Sequence, residues 1–388
     1  MIRRHPELDR AASFPSFRFD KRALLDLSRD GLISHYPFQL GRRLHVVSSM
    51  SEQHSDSSHY LGRHTTLSYL VGRRRIWQHI PYLRENEGHA PPIALAVGDR
   101  RRVHEIASRL RKPVLVPETA ARFAHRGVSK KALPAAPEYG RVAMAIGLAS
   151  GSVPVLVVET QMGAPSTQII MNEILSDELT STDYRTGKVT LSMPHKIVIR
   201  VGTAGGINCQ GSSTIKPGDV VNATHSIGAT GAVIQSLLRL DFWIPGAIEE
   251  FRKRWVDQGP EFTITQEGHP RVECGGDVVE ALDAAGQRFA AGAYHKGGNI
   301  TKDSLYAELS ENVFLALCRA YNCRSTEMEL SAIAVSARAN NACFGMISAI
   351  VGVLPGGSFV ESERVKATAE ERSLRIVLEA VKNLASQE

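Results

Sequence analysis

From residue 91 onward, short apolar runs alternate with segments in which apolar residues recur every three or four positions. Continuous apolar runs that end in glycine or another turn residue are typical of strands buried on both faces of a sheet. We predict such strands at 93–97, 153–160, 196–202 and 345–354. Helical spacing predicts helices over 103–110, 167–179, 328–340 and 370–386, with further helix and turns within 235–290.

This alternation of strands and helices argues for a layered α/β fold with a largely buried sheet. Residues 1–90 lack it, and "SSMSEQHSDSSH" within them has the polar composition of an irregular loop. We therefore predict a partly irregular N-terminal extension at 1–90 and one catalytic domain at 91–388, without internal repeats.

Composition excludes several classes of protein. The five cysteines are an odd number without a CxxC pair, so neither a zinc site nor a disulfide framework is expected. No apolar run is long enough to cross a bilayer, and the N-terminus lacks the apolar segment of a secretory signal. We expect a cytoplasmic protein. Its arginine-rich start leaves organellar import as an alternative, although Glu7, Asp9 and Asp20 oppose it.

The net charge of +6 is unevenly distributed, with +11 over residues 1–130 and −5 over the remainder. A basic segment can face nucleic acid, but this one has neither an RNA-binding motif nor interleaved aromatic residues. Small anionic ligands explain a positive potential equally well. We expect no nucleic acid and no membrane among the partners.

Three of the predicted strands end in a similar way, with glycines followed by cationic or hydroxyl side chains. Ligands of open α/β sheets bind at the carboxyl ends of strands, where glycines admit an anion to backbone N–H groups. The three segments are "LAVGDRRRV", "VVETQMGAPST" and "IRVGTAGGI". The alternative to an anion site is, for each segment, an ordinary turn whose charged side chains are solvated.

Arg200 cannot be explained as a solvated charge, because it lies inside the buried run "IVIRVG", where an unpaired charge is costly. It forms either a structural ion pair or part of an anion site. The glycine spacing does not match the dinucleotide fingerprint, and no P-loop is present.

The string "STEMELSAIAVSA" places Glu327, Met328 and Glu329 where a helix begins. Acids at that position are favoured by the helix dipole, and a methionine there can simply fill space. Alternatively, a carboxylate accepts sugar hydroxyls beside a methionine that packs on the sugar. The residues alone leave both interpretations open.

Together these segments resemble the nucleoside phosphorylase-I family, and within it uridine phosphorylases above all. Four blocks are similar to family segments and occur in the family's order. They are "VGDRRRVHEIASRLRKPV", "TQMGAPSTQIIMNEIL", "IRVGTAGGINCQGSSTIKPGDVV" and "STEMELSAIAVSARA". The resemblance covers about 91–388 and implies a three-layer αβα domain with a central mixed sheet.

The resemblance also implies the roles of individual residues. Phosphate would be bound by Gly98, Arg102, Arg122, Arg200 and Thr203, with Arg122, or alternatively Arg126, reaching the site of a neighbouring subunit. Ribose would be bound by Glu327, Met328, Glu329 and His79. His79 would reach the 5′-hydroxyl across a dimer interface, and His59 is its alternative. The residues expected to be catalytic are Arg102, Arg200 and Glu329.

The expected base pocket consists of Thr203, Ala204, Gly205 and Leu305. Uridine phosphorylases read uracil with a glutamine and an arginine, and both are missing from the corresponding "KDSLYAELSEN". Purine enzymes carry a Ser-Asp pair after the last strand, where this chain has "AIVGVLPGGSF". The identity of the base therefore stays open.

The implied function is phosphorolysis of a ribonucleoside, uridine or another pyrimidine nucleoside first, during nucleoside salvage. A purine nucleoside phosphorylase or a nucleosidase of the same fold is the first alternative, and a catalytically silent binding protein is the second. No cofactor or metal is expected, since inorganic phosphate is the co-substrate. A site shared between subunits implies a homodimer or a trimer of dimers.

Overall fold

The structure is a computed structural model, and it describes most of the region from residue 91 to 385. The described ranges are 91–115, 142–149, 152–175, 182–183, 188–189, 197–209, 214–228, 230–233, 262–266, 269–304, 311–340, 342–355, 358–359 and 362–385. The extension predicted at 1–90 lies outside them, so the expected division of the chain at residue 90 stays a prediction.

The described strands are numbered in chain order. They are β1 Ile93–Val97, β2 Arg111–Leu115, β3 Met144–Ala149, β4 Val153–Glu159, β5 Thr182–Asp183, β6 Lys188–Val189, β7 Ile197–Ile207, β8 Val220–Ile227, β9 Phe262–Ile264, β10 Pro270–Glu273, β11 Tyr294–Thr301, β12 Cys323–Glu327, β13 Cys343–Leu354 and β14 Ser358–Phe359. The described helices are α1 Arg100–Ala107, α2 Ala164–Leu175, α3 Gly276–Ala290, α4 Glu311–Ala320, α5 Leu330–Ala339 and α6 Glu363–Ala385.

One half of the main sheet is open, in the order β7-β1-β4-β3-β2. β1 is central and pairs in parallel with β4 on one side and β7 on the other. β3 and β2 extend this half with antiparallel pairings. Every residue of β1 is buried, which explains why its sequence is an uninterrupted apolar run.

The other half of the sheet closes on itself. β7 pairs with β13, β13 with β8, β8 with β11, β11 with β12, and β12 returns to β7. Because β7 belongs to both halves, the ring of five strands is joined directly to the open half. β7 and β13 are also long, at 11 and 12 residues, and each pairs with three other strands.

Two apolar clusters occupy opposite faces of the open half, because alternate strand residues point to opposite faces. Ala94 and Ala96 of β1 belong to a cluster that includes α2 and α5. Leu95 and Val97 belong to a second cluster, with residues of α1, α3 and α6. Helices thus cover both faces of β1.

The expected α/β fold with a mixed sheet is confirmed, and all four predicted strands are present. The expected three-layer arrangement stays a prediction. Helix α1 begins three residues before the predicted start, because Asp99 accepts a hydrogen bond from Arg102 N at the helix N-terminus. Within 235–290, residues 262–264 and 270–273 are strands, which differs from the predicted helix and turns.

Closure of the ring depends on close packing at Gly206 of β7. A Cβ at this position would lie 2.7 Å from Ile215 Cγ2 and 3.0 Å from Ile350 Cγ2. We expect Gly206→Ala to lower the free energy of unfolding by about 1–3 kcal/mol, because those side chains must move. Urea denaturation followed by circular dichroism measures this change.

Gly276→Ala is the matched control, since nothing lies within 4 Å of a Cβ placed at this helix residue. It should leave the free energy of unfolding unchanged or slightly raise it. Equal stability of the two variants would contradict the close packing inferred for Gly206.

Candidate active site

β1 and β4 end at the same level of the sheet, beside Val201 of β7, because these three strands are parallel neighbours. β7 itself continues to Ile207, so its predicted end at residue 202 was wrong and the glycines that follow Val201 lie within the strand. Thr160, which follows β4, donates its backbone N–H to Val97 O at 2.7 Å and its hydroxyl to the same oxygen at 3.1 Å. These bonds hold the segment after β4 against the end of β1. The predicted strand-end segments therefore share one site.

Arg200 lies on β7 beside Ala96 of β1, and only 4% of it is exposed. Its Nη2 donates to Glu329 Oε2 at 2.8 Å, and its Nη1 donates to Thr160 Oγ1 at 3.4 Å. Nε is buried and has no hydrogen-bond partner among the described residues. A buried cation within β7 is thus neutralised by one carboxylate and keeps an unused donor.

Arg102 approaches the same point from the first turn of α1. Its Nη1 would lie 3.7 Å from a Cβ placed on Gly98, and Arg200 Nη2 would lie 3.4 Å from it. Two guanidinium groups thus converge where Gly98 has no side chain. Like charges repel, and an arginine pair aimed at one point suits an anion with several oxygens, such as phosphate.

The turn after β4 has a backbone conformation that favours glycine, with φ values of 61° at Gln161 and 88° at Gly163. Gly163 N donates to Glu329 Oε1 at 2.7 Å, and Ser166 Oγ donates to Thr160 O at 2.7 Å. Gly163 was expected to offer its N–H to an anion. Here that N–H holds the carboxylate of Glu329.

Glu327 and Glu329 have different surroundings although they are two residues apart. Glu327 ends β12, and its Oε1 accepts hydrogen bonds from Asn299 Nδ2 and Thr301 Oγ1, both at 2.8 Å. Its Oε2 accepts from the backbone N–H groups of Glu329 and Leu330, at 2.7 and 2.9 Å, and so caps α5. Glu327 thus stabilises the start of a helix, and its expected role in binding ribose stays a prediction.

The surroundings shift the two pKa values in opposite directions. Burial and, next, the negative charge of Glu329 raise the pKa of Glu327 to about 7. Burial also opposes ionisation of Glu329, but the positive charge of Arg200 and the N–H of Gly163 outweigh it. The pKa of Glu329 is therefore lowered. Glu329 is the ionised carboxylate of this pair at neutral pH.

The remaining described candidates lie close by. Met328 is half-buried between the two acids, and Thr203 of β7 is half-buried beside Ala349 of β13. Ala204 packs in a small apolar cluster with Ile350, and a Cβ on Gly205 would lie 3.2 Å from Thr326 Cγ2. Thr203, Ala204 and Gly205 lie in the second half of β7, and Met328 lies between β12 and α5. The expected roles of these four residues stay predictions.

Five predicted residues lie outside the described part of the chain: His59, His79, Arg122, Arg126 and Leu305. Two other residues contact the arginines and were missed by sequence reasoning. Thr160 resembles any strand-end threonine, and Glu370 resembles any acid on an amphipathic helix. Glu370 had no sequence pattern that could reveal it, whereas Thr160 belongs to the "ETQMG" turn and could have been found.

Among the described residues, no group of three or more His, Cys, Asp or Glu side chains could hold a metal ion. No helix in the described part of the chain is long and apolar enough to cross a membrane.

Comparisons with known proteins bear on this site. The sequence model of the phosphorylase superfamily matches residues 92–382. The chain belongs to the phosphorylase superfamily. The resemblance to nucleoside phosphorylases is thus confirmed at the level of the superfamily, and the closer likeness to uridine phosphorylase stays a prediction.

Among solved structures, this chain is similar to purine nucleoside phosphorylase from Toxoplasma gondii in complex with immucillin-H. The two are 20% identical, with a TM-score of 0.49, over 78% of this chain and 94% of that one. No curated protein matches the chain.

Glu327 should make the stability of this protein depend on pH near neutrality. A carboxyl group whose pKa is raised in the folded state contributes its full stabilisation at pH values below its pKa in the unfolded chain, about 4.3. This contribution is lost as the pH rises through the folded-state pKa of about 7. We expect the free energy of unfolding to fall between pH 5 and 7.5, and Glu327→Gln to flatten that fall. Urea denaturation across this pH range measures it.

Glu280→Gln, an exposed change on α3, is the control and should retain the wild-type pH dependence. An identical slope in wild type and Glu327→Gln would contradict the raised pKa.

Proposed function

We propose that this protein catalyses phosphorolysis of a ribonucleoside by inorganic phosphate, giving a free base and ribose 1-phosphate. The observation that carries the proposal is the convergence of Arg102 and Arg200 at Gly98, with the ionised Glu329 directly beside them. Such a site offers cationic donors for phosphate and an anionic acceptor for sugar hydroxyls. Membership of the phosphorylase superfamily supports the same reaction class.

Phosphate would lie at Gly98, where the guanidinium groups point at the space left by the missing side chain. The unused Nε of Arg200 lies beside Gly202, 3.3 Å from a Cβ placed there, and is a separate buried donor that costs free energy while it has no partner. Thr203 would add a hydroxyl. Arg122 of a neighbouring subunit would complete the site, in a homodimer or a trimer of dimers.

Ribose would be held by Glu329. Each of its oxygens accepts one hydrogen bond from the protein, so each keeps a second lone pair for a sugar hydroxyl. Glu327 has no such capacity, because four donors already occupy its carboxylate. We therefore assign Glu327 a positioning role, and ribose binding to Glu329, Met328 and His79.

Catalysis would combine positioning with electrostatic stabilisation. The glycosidic carbon becomes cationic as the base departs, as in other glycosyl transfers, and a bound phosphate dianion on one face of the sugar stabilises that charge. The phosphate oxygen then forms the new bond to carbon. The reaction would need no covalent nucleophile, metal or cofactor.

The first substrate that we propose is uridine or another pyrimidine nucleoside, because the sequence resembles uridine phosphorylases. Purine nucleosides are the alternative, since no base-reading pair was recognised in the sequence. A base pocket that offers few hydrogen bonds should discriminate weakly between bases. We place the reaction in cytoplasmic nucleoside salvage.

The proposal predicts phosphate-dependent release of base. Purified protein should release base from at least one of uridine, thymidine, inosine and adenosine, with ribose 1-phosphate or its deoxy form as co-product. Base is measured by chromatography, with and without phosphate. Release without phosphate would indicate a nucleosidase, and no release under either condition would favour a silent binding protein.

Arg200→Lys tests the phosphate site. Lysine keeps the charge but loses the planar fork, so we expect kcat/KM for phosphate to fall about a hundredfold or more. The lysine can still neutralise Glu329, which limits the loss of stability. Steady-state kinetics with varied phosphate measure the effect.

Arg288→Lys is the matched control, because its side chain is 66% exposed and pairs with Glu379 far along the chain from the proposed site. It should retain wild-type kinetics. Unaltered phosphate affinity and turnover in Arg200→Lys would overturn the proposed role of Arg200.

A further inference from the structure

The C-terminal helix α6 brings a carboxylate to the phosphate-site arginines. Glu370 lies on the helix face that also buries Ala369, Ser373 and Leu374. Its side chain is only 10% exposed. A carboxylate on such a face is costly unless it is paired.

Glu370 is paired with two consecutive arginines of α1. Its Oε1 accepts from Arg102 Nη2 at 2.9 Å, and its Oε2 accepts from Arg101 Nη2 at 3.1 Å. Burial opposes ionisation of Glu370, but the hydrogen bonds and charges of these arginines outweigh it and lower its pKa. Glu370 is thus a carboxylate at neutral pH.

The three nitrogens of the Arg102 guanidinium have three different surroundings. Nε faces Asp99 Oδ2 at 3.5 Å, and Nη2 bonds to Glu370. Nη1 points to the space beside Gly98, where Arg200 Nη2 also lies. Two carboxylates therefore hold two corners of the guanidinium and leave the third directed at the proposed phosphate.

We propose that Glu370 is a positioning residue for phosphate: it fixes Arg102 in the orientation that binds the anion. The inference rests on the proposed function, since Arg102 is assigned to phosphate there. An arginine side chain has many rotamers, and fixing one before binding removes an entropic cost from binding. The C-terminal helix is by this means part of the active site without touching the substrate.

A competing role for Glu370 predicts the opposite effect. A carboxylate that occupied the phosphate-facing nitrogen would act as an internal competitor, and its removal would tighten phosphate binding. Glu370 instead occupies Nη2, while Nη1 remains directed at Gly98. The geometry therefore favours positioning over competition.

The test compares Glu370→Gln with Glu371→Gln. Glu371 is the next residue on α6 and also pairs with an arginine, accepting from Arg109 Nη1 at 2.9 Å. Its partner is not a proposed phosphate ligand, and its side chain is 45% exposed against 10% for Glu370. Glu370→Gln should raise KM for phosphate about tenfold and leave KM for the nucleoside unchanged. Glu371→Gln should leave both constants within about twofold of wild type.

The split between the two KM values separates positioning from a purely structural role, which would alter both constants or only the thermal unfolding temperature. In an Arg102→Ala background, Glu370→Gln should have no further effect on KM for phosphate. Should Glu370→Gln fail to fold, Glu370→Asp retains the charge, retracts the carboxylate, and should show the same selective rise.

Phosphate binding by calorimetry distinguishes failure of this inference from failure of the proposed function. If wild type cleaves no nucleoside yet binds inorganic phosphate, weaker phosphate binding by Glu370→Gln still supports positioning. Equal or tighter phosphate binding by Glu370→Gln overturns it, as does a wild-type protein that binds no phosphate.

Discussion

The buried ion pair between Arg200 and Glu329 is the interaction on which the candidate site depends. It joins β7 to the start of α5 with a bond of 2.8 Å, and both side chains are 5% exposed. Breaking a buried pair typically costs about 3–5 kcal/mol, because the remaining charge is left without a partner. The surrounding structure therefore must hold both partners in place, and it does so with Thr160 on one side and Gly163 on the other.

Three further carboxylates, those of Glu327, Asp99 and Glu370, position Glu329 and Arg102 around this pair. Glu327 caps α5 and so fixes the backbone from which Glu329 extends, while Asp99 caps α1 and contacts Arg102. Glu370 reaches the same arginine from the C-terminal helix. Each acid near the site thus has a separate task, and the division follows from which donors surround it rather than from its residue type.

Three strands of the open half, one strand of the ring and the candidate arginines were predicted from sequence because their physical causes are local. A strand buried on both faces must be apolar throughout, so the runs at β1, β4, β7 and β13 were visible. Besides β2 and β3 of the open half, strands β8, β11 and β12 of the ring were not predicted. The ring strands carry buried polar residues such as Asn222, Asn299 and Ser325, whose hydrogen-bond partners lie on other elements: Asn222 donates to Val279 O of α3, and Ser325 of β12 donates to Asn299 of β11.

The sequence by itself determined that Arg200 needs a partner, because a cation within an apolar strand cannot be left unpaired. Only the tertiary structure decided that the partner is Glu329 and that an ion pair and a place at the anion site are compatible. It likewise gave Glu329 and Glu327 different hydrogen-bond partners and brought Glu370 into contact with Arg102. These assignments depend on contacts between residues far apart in the chain, and no local pattern specifies which distant side chains will meet.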